Sequence, residues 1–123
     1  MNVEGINWHA IVLDVEPFAA TKALMTETFG LAPAMEAEGM VLFTMSNGTM
    51  LELNEPQAAS ADYDINDGLV FGFRVDDVEA ASAAVEEAGC ELLGEITRVE
   101  EEAYAYRRFR GPDGRVYSLN EQN

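Results

Sequence analysis

The spacing of apolar residues changes along the chain, and each change marks an element. Trp8 to Val15 is an apolar-rich run with three β-branched residues, closed by Glu16-Pro17. It predicts a strand that leads into a helix, because Pro17 is tolerated in a first turn where its missing N–H has no partner to lose. Phe18, Met25 and Phe29 then follow helical spacing and Gly30 supplies a stop, which predicts a helix over 18–29. Met40–Ser46 and Thr49–Asn54 are strand-like runs joined by Asn47-Gly48, a dipeptide suited to the positive φ angles of a tight hairpin. Ala34–Glu36 predicts a short strand before them.

The order then begins again. Leu69–Val75 predicts a strand and Asp76-Asp77 a helix cap, after which Val78, Ala81, Val85 and Ala88 recur at helical spacing up to Gly89. Glu91–Ile96, Ala103–Arg110 and Arg115–Leu119 complete a second set of strands, the last two joined by Pro112-Asp113-Gly114. The closing hairpins of the two halves align at a constant shift of 66 positions, the interval from Phe43 to Phe109. Asn47-Gly48 matches Asp113-Gly114, and Leu53-Asn54-Glu55 matches Leu119-Asn120-Glu121. This is an internal duplication. The fold class is therefore α+β: two tandem βαβββ modules, residues 6–55 and 68–121, forming curved mixed sheets with helices outside, joined by a linker over 56–67. Neither module closes a barrel alone, so the sheets are expected to pair and enclose a cavity.

At 123 residues and 48% hydrophobic content, the chain fits one domain with a real core. No stretch approaches the roughly 20 apolar residues of a membrane span, and the first residues lack the basic start and apolar run of a secretory signal. A cytoplasmic protein without a membrane partner is expected. Cys90, the only cysteine, cannot form an internal disulfide, and as a small thiol after Gly89 it reads as packing. Charge changes the picture more. Asp and Glu number 23 against 7 Lys and Arg, for a formal net charge of -16. Such a field repels phosphate backbones, so no nucleic acid partner is expected; it either favours cationic ligands or serves only as a heavily solvated surface suited to high salt.

Several of these segments together carry a family resemblance: His9 to Leu13, Phe29-Gly30-Leu31, Asn47-Gly48-Thr49-Met50-Leu51-Glu52-Leu53, Phe73-Arg74-Val75-Asp76-Asp77-Val78, and Phe109-Arg110-Gly111-Pro112-Asp113-Gly114. Taken in this order they resemble the vicinal oxygen chelate superfamily, which includes glyoxalases, extradiol dioxygenases, fosfomycin-resistance thiol transferases and bleomycin-binding proteins. In its metal-dependent members, the resemblance implies, ligands come from the first and last strands of each module. His9 and Glu52 stand at these positions in the first module, and Val70 and Ser118 at the corresponding ones in the second. Valine and serine are not usual ligands, Glu121 is out of phase with Ser118, and no other histidine exists in the chain. Two protein ligands make a weak site. No metal or other cofactor is expected, with a divalent cation on His9 and Glu52 as the alternative.

Without a metal, His9 and Glu52 read either as a hydrogen-bonded pair in a cavity wall or as a pair for acid–base work or ligand recognition. The other candidate ligand-binding residues are Met45 and Met50 on the first hairpin, Ser118, and Tyr104, Tyr106 and Arg108, which share a face by alternation. Arg107 and Arg110 read as surface charges. The resemblance favours a metal-independent small-molecule binding protein, similar to the bleomycin-resistance branch, that sequesters a small organic compound, cationic or neutral. The alternative is a lyase, isomerase or dioxygenase of the glyoxalase type using His9 and Glu52. A homodimer is expected by analogy with the superfamily. On this reading, affinity for a cationic compound falls as ionic strength rises, which a salt titration by calorimetry checks; salt-independent affinity would remove the electrostatic component.

Overall fold

The computed structural model of the chain describes residues 1–58 and 69–122. The elements in chain order are β1 (Val3–Val12), α1 (Val15–Ala23), β2 (Pro33–Ala37), β3 (Met40–Thr44), β4 (Met50–Asn54), β5 (Leu69–Val75), α2 (Val78–Glu87), β6 (Glu91–Val99), β7 (Tyr104–Arg110) and β8 (Val116–Gln122). This is an α+β fold with an eight-stranded mixed sheet in the order β2-β3-β4-β1-β5-β8-β7-β6. The chain divides into two compact units, Trp8–Leu69 and Met1–Asn7 with Val70–Asn123, so that β1 contributes to both. Of the linker expected over 56–67, Pro56–Ala58 forms one 3-10 turn and 59–67 lies outside the described residues. Among the described residues no helix is long and apolar enough to cross a membrane.

In the unit Trp8–Leu69, β1 runs parallel to β4 from Trp8 beside Met50 to Val12 beside Asn54, and β4 is antiparallel to β3. Helix α1 lays the buried Phe18 against Val41, Phe43 and Leu53, all fully buried. The helix starts three residues earlier than the apolar spacing predicts, with Asp14 at its cap, and it ends in a wider π turn over Leu24–Thr28. There Phe29 N–H reaches back to the Leu24 carbonyl at 3.0 Å, while Thr26 Oγ1 donates to the Lys22 carbonyl at 3.0 Å. A threonine that hydrogen-bonds its own helix backbone competes with the regular ladder. Gly30, at φ +69°, then turns the chain out of the helix as expected.

The other unit repeats the plan. β5 is parallel to β8, β8 is antiparallel to β7, and β7 to β6. Asp77 caps α2 by accepting from the N–H groups of Glu79 and Ala80 at 3.0 and 3.1 Å. Val78 and Ala81 are fully buried on its inner face and pack with Val75, Ala105, Phe109 and Leu119, and Cys90 joins this cluster. In both units, then, the first and last strands of the module lie side by side and the helix claims one face of the sheet.

Replacing Phe43 by Ala removes a fully buried ring from the smaller core and should destabilise the protein by about 3–5 kcal/mol. Asp77→Ala, which removes only a cap, should destabilise by about 1 kcal/mol. Urea unfolding of the two variants measures both values and their order.

Candidate functional site

A strand sends alternate side chains to opposite faces, so the face covered by each helix decides which polar residues can meet. In the unit Trp8–Leu69, Ile11, Leu13, Leu51 and Met45 pack with the cluster beneath α1. His9 lies beside Leu51 in the ladder and alternates with Ile11, which directs it to the α1 side. Its Nδ1 is 3.1 Å from the Met50 carbonyl oxygen. Trp8, Ala10, Met50, Glu52 and Asn54 share the opposite face. His9 and Glu52 are therefore separated by the sheet rather than brought together, and Met45 is a core residue, whereas Met50 does share the face of Glu52.

The residue that meets Glu52 is Trp8, whose Nε1–H donates to Oε1 at 3.3 Å. The second carboxylate oxygen accepts from Asn54 Nδ2 at 2.9 Å. The strand ladders explain the shift. Glu52 lies beside Ala10 and Ser118 beside Gly72, so the residue equivalent to Val70 is Trp8, and His9 corresponds to Phe71. Counting back from Val75-Asp76-Asp77 to Val70 goes one residue beyond Phe71, the true counterpart of His9. A one-residue slip moves a strand side chain to the other face.

In the other unit, the face away from α2 carries Tyr104, Tyr106 and Arg108 of β7 beside Gln122, Asn120 and Ser118 of β8. The expected common face of the two tyrosines and Arg108 is present. Glu121 points to the helix side, where Oε1 accepts the Val78 N–H at 2.9 Å. Arg107 and Arg110 donate to the carbonyl oxygens of Gly94 and Gly114, at 3.0 and 2.9 Å.

Ser118, Asn120 and Asn7 are all buried and form one chain of hydrogen bonds that begins at Arg108. A guanidinium can only donate, and that fixes the direction of every bond that follows. Arg108 Nη1 donates to Ser118 Oγ at 2.5 Å, which turns the Ser118 hydroxyl proton to Asn120 Oδ1 at 2.6 Å. Asn120 Nδ2 must then face Asn7 and donates to its Oδ1 at 3.1 Å. The chain ends on Asn7 Nδ2, a buried donor with no acceptor among the described residues. A buried donor left unpaired carries a desolvation penalty of about 1–3 kcal/mol, and a ligand oxygen or an ordered water would relieve it.

These donor sets do not suit a divalent cation. Such an ion takes anionic oxygens or imidazole nitrogens, but Ser118 offers a neutral hydroxyl that already accepts from a guanidinium, and His9 is turned to the face opposite Glu52. Among the described residues, no three His, Cys, Asp or Glu side chains converge.

Asn7, Trp8, Asn54 and Asn120 are the residues that sequence reasoning missed. The duplication itself held a signal for two of them. Asn54 and Asn120 occupy the same repeat position and are nearly or fully buried, at 2% and 0% exposure.

The comparisons with known proteins agree with this architecture. A family model described as Glyoxalase/Bleomycin resistance protein/Dioxygenase superfamily matches residues 7–117. No curated protein matches the sequence. Among solved structures, the Mn(II)-bound glyoxalase from Novosphingobium aromaticivorans is similar with TM-score 0.74 and 22% identity, over 97% of this chain and 39% of that one. The chain thus spans about two-fifths of the length of that relative. A glyoxalase/bleomycin resistance protein/dioxygenase superfamily member from Vibrio splendidus gives TM-score 0.62 and 15% identity, over 98% of this chain and all of that one. The Streptomyces coelicolor methylmalonyl-CoA epimerase gives 0.68 and 18%, over 98% and 99%. At these identities the likeness establishes the fold.

Asn120→Asp puts a carboxylate against the Asn7 carbonyl oxygen in a fully buried position and should destabilise by about 2–4 kcal/mol. Ser118→Ala removes only the hydroxyl and should destabilise by about 1–3 kcal/mol. If chemical denaturation finds Asn120→Asp neutral, the direction assigned to the chain is incorrect.

Proposed function

Because the chain belongs to the glyoxalase/bleomycin resistance protein/dioxygenase superfamily and Val70 and Ser118 stand where that resemblance implies metal ligands in the second module, we propose that it is a metal-independent protein that binds and sequesters a small organic compound. The observation that carries this reading is the bond from Arg108 to Ser118. A guanidinium bonded to Ser118, which holds the carboxylate position of the second module, disfavours a divalent cation there.

Binding of this kind is stoichiometric. Apolar area removed from water contributes roughly 25 cal/mol per Å², and a few placed polar groups set orientation. Tyr104 and Tyr106 supply aromatic area, with ring centroids 5.8 Å apart, and both are half-buried, so part of each ring remains in reach of a ligand. The Mn(II) of the Novosphingobium glyoxalase belongs to that protein; here the two oxygens of Glu52 accept from Trp8 and Asn54.

Protein dialysed without chelator should hold far less than one equivalent of manganese, iron, nickel or zinc by elemental analysis. Its melting temperature should not respond to added metal, whereas a cation at 100 times its dissociation constant would stabilise a specific site by about 2.7 kcal/mol. Near-stoichiometric metal that survives dialysis and is lost in Glu52→Ala or His9→Ala would overturn the reading.

A further inference from the structure

Of the asparagines in the chain, Asn47 alone is followed by glycine, and the pair sits at the tip of the hairpin between β3 and β4. Glycine lacks a Cβ, so its backbone nitrogen is the least hindered nucleophile that the chain can place next to a side-chain amide. The hairpin is closed by Met45 N–H, which donates to the Thr49 carbonyl at 2.7 Å, and by Gly48 N–H, which donates to the Met45 carbonyl at 2.9 Å. Ser46, Asn47 and Gly48 are exposed, and a methyl group on Gly48 would meet no atom within 4 Å beyond its chain neighbours, so water reaches the pair from the open side. Thr49 orients the amide. A backbone N–H can only donate, and that of Thr49 lies 3.1 Å from Asn47 Oδ1, while Thr49 Oγ1 donates to the same oxygen at 2.7 Å. Two donors thus converge on one carbonyl oxygen, the arrangement that stabilises an oxyanion when its carbon is attacked.

We propose that Asn47 is a self-modifying site that deamidates in the folded protein. The Gly48 nitrogen, its proton released to water, bonds to Asn47 Cγ, and an electron pair of the Cγ–Oδ1 double bond moves onto Oδ1, where the Thr49 donors meet it. The pair returns as the Cγ–Nδ2 bond breaks and ammonia leaves with a proton taken from water. One water molecule then opens the succinimide, at Cγ to give aspartate or at the Asn47 carbonyl carbon to give isoaspartate; nothing is oxidised or reduced. Hydrogen bonds to an anionic oxygen are about twice as strong as those to a neutral one, so the two donors of Thr49 favour the attacked state over the resting amide. The bond from Gly48 to Met45 opposes the attack and must open first, which an exposed hairpin tip permits at little cost.

The duplication displays the product. Asp113 stands at the position equivalent to Asn47, in a turn with the same two closing bonds: Gly111 N–H donates to the Arg115 carbonyl at 2.9 Å and Gly114 N–H to the Gly111 carbonyl at 3.0 Å. Asp113 Oδ1 accepts the Arg115 N–H at 3.0 Å, as Asn47 Oδ1 accepts that of Thr49. An aspartate at position 47 therefore keeps the turn while adding a negative charge to a chain already at -16.

Purified protein incubated for days in mildly alkaline buffer at body temperature should accumulate an acidic species on ion exchange and release ammonia in equal amount. Peptide mapping should place the new aspartate and isoaspartate at residue 47, ahead of every other asparagine. Thr49→Val, which keeps the N–H and removes the hydroxyl, should slow the change about two- to tenfold, the contribution of one hydrogen bond, whereas Thr49→Ser should retain most of the rate. Asn47→Asp should elute with the acidic species from the start and unfold in urea at the same midpoint as the parent protein. The map of the parent protein and the Asn47→Asp midpoint remain as tests if Thr49→Val fails to fold. No change at residue 47 over weeks, a faster change at another asparagine, equal rates in Thr49→Val and the parent, or a clearly lower midpoint for Asn47→Asp would each overturn the inference.

Discussion

Each helix covers one face of its own strands, and that single constraint organises the polar chemistry of the chain. Once α1 claims the side of Val41, Phe43 and Leu53, every residue in phase with them is committed to the core and every residue between is turned the other way. The side chains of His9 and Glu52 are close in any one-dimensional reading of the ladder, yet they belong to different environments. The same rule in the second unit gathers Tyr104, Tyr106, Arg108, Ser118 and Asn120 on one face and leaves Phe109, Leu119 and Glu121 to α2.

Within that frame, the repeated asparagine shows how a duplicated backbone can carry two different sites. Asn54 donates its amide N–H to the carboxylate two residues before it, while Asn120 accepts with its carbonyl oxygen from the hydroxyl two residues before it. A carboxamide has both donors and an acceptor, so the same side chain at the same place completes an anionic group in one module and a hydroxyl in the other. Aspartate could not serve at both. The divergence between modules is then concentrated at the partners: glutamate with tryptophan in one, serine with arginine in the other.

Charge acts at two ranges here. The net charge of -16 sets up a long-range field whose reach salt shortens. Arg108 acts at contact distance, where screening is weak and its orientation is fixed by Ser118 and Tyr106. A chain can therefore be strongly acidic overall and still hold a cation against a buried hydroxyl within one of its units.

The sequence by itself determined the duplication, the element order, the turns at Asn47-Gly48 and Asp113-Gly114, and the shared face of Tyr104, Tyr106 and Arg108. These follow from local conformational preferences and from the period of two along a strand, both of which are written in consecutive residues. Only the tertiary structure decided the phase of β1 against β4, because that depends on which pairs become neighbours in the ladder, and a difference of one residue exchanges His9 for Trp8 as the companion of Glu52. It also decided the hydrogen-bond chain from Arg108 to Asn7, whose ends are a hundred residues apart in sequence and whose direction is set by the one member that can only donate.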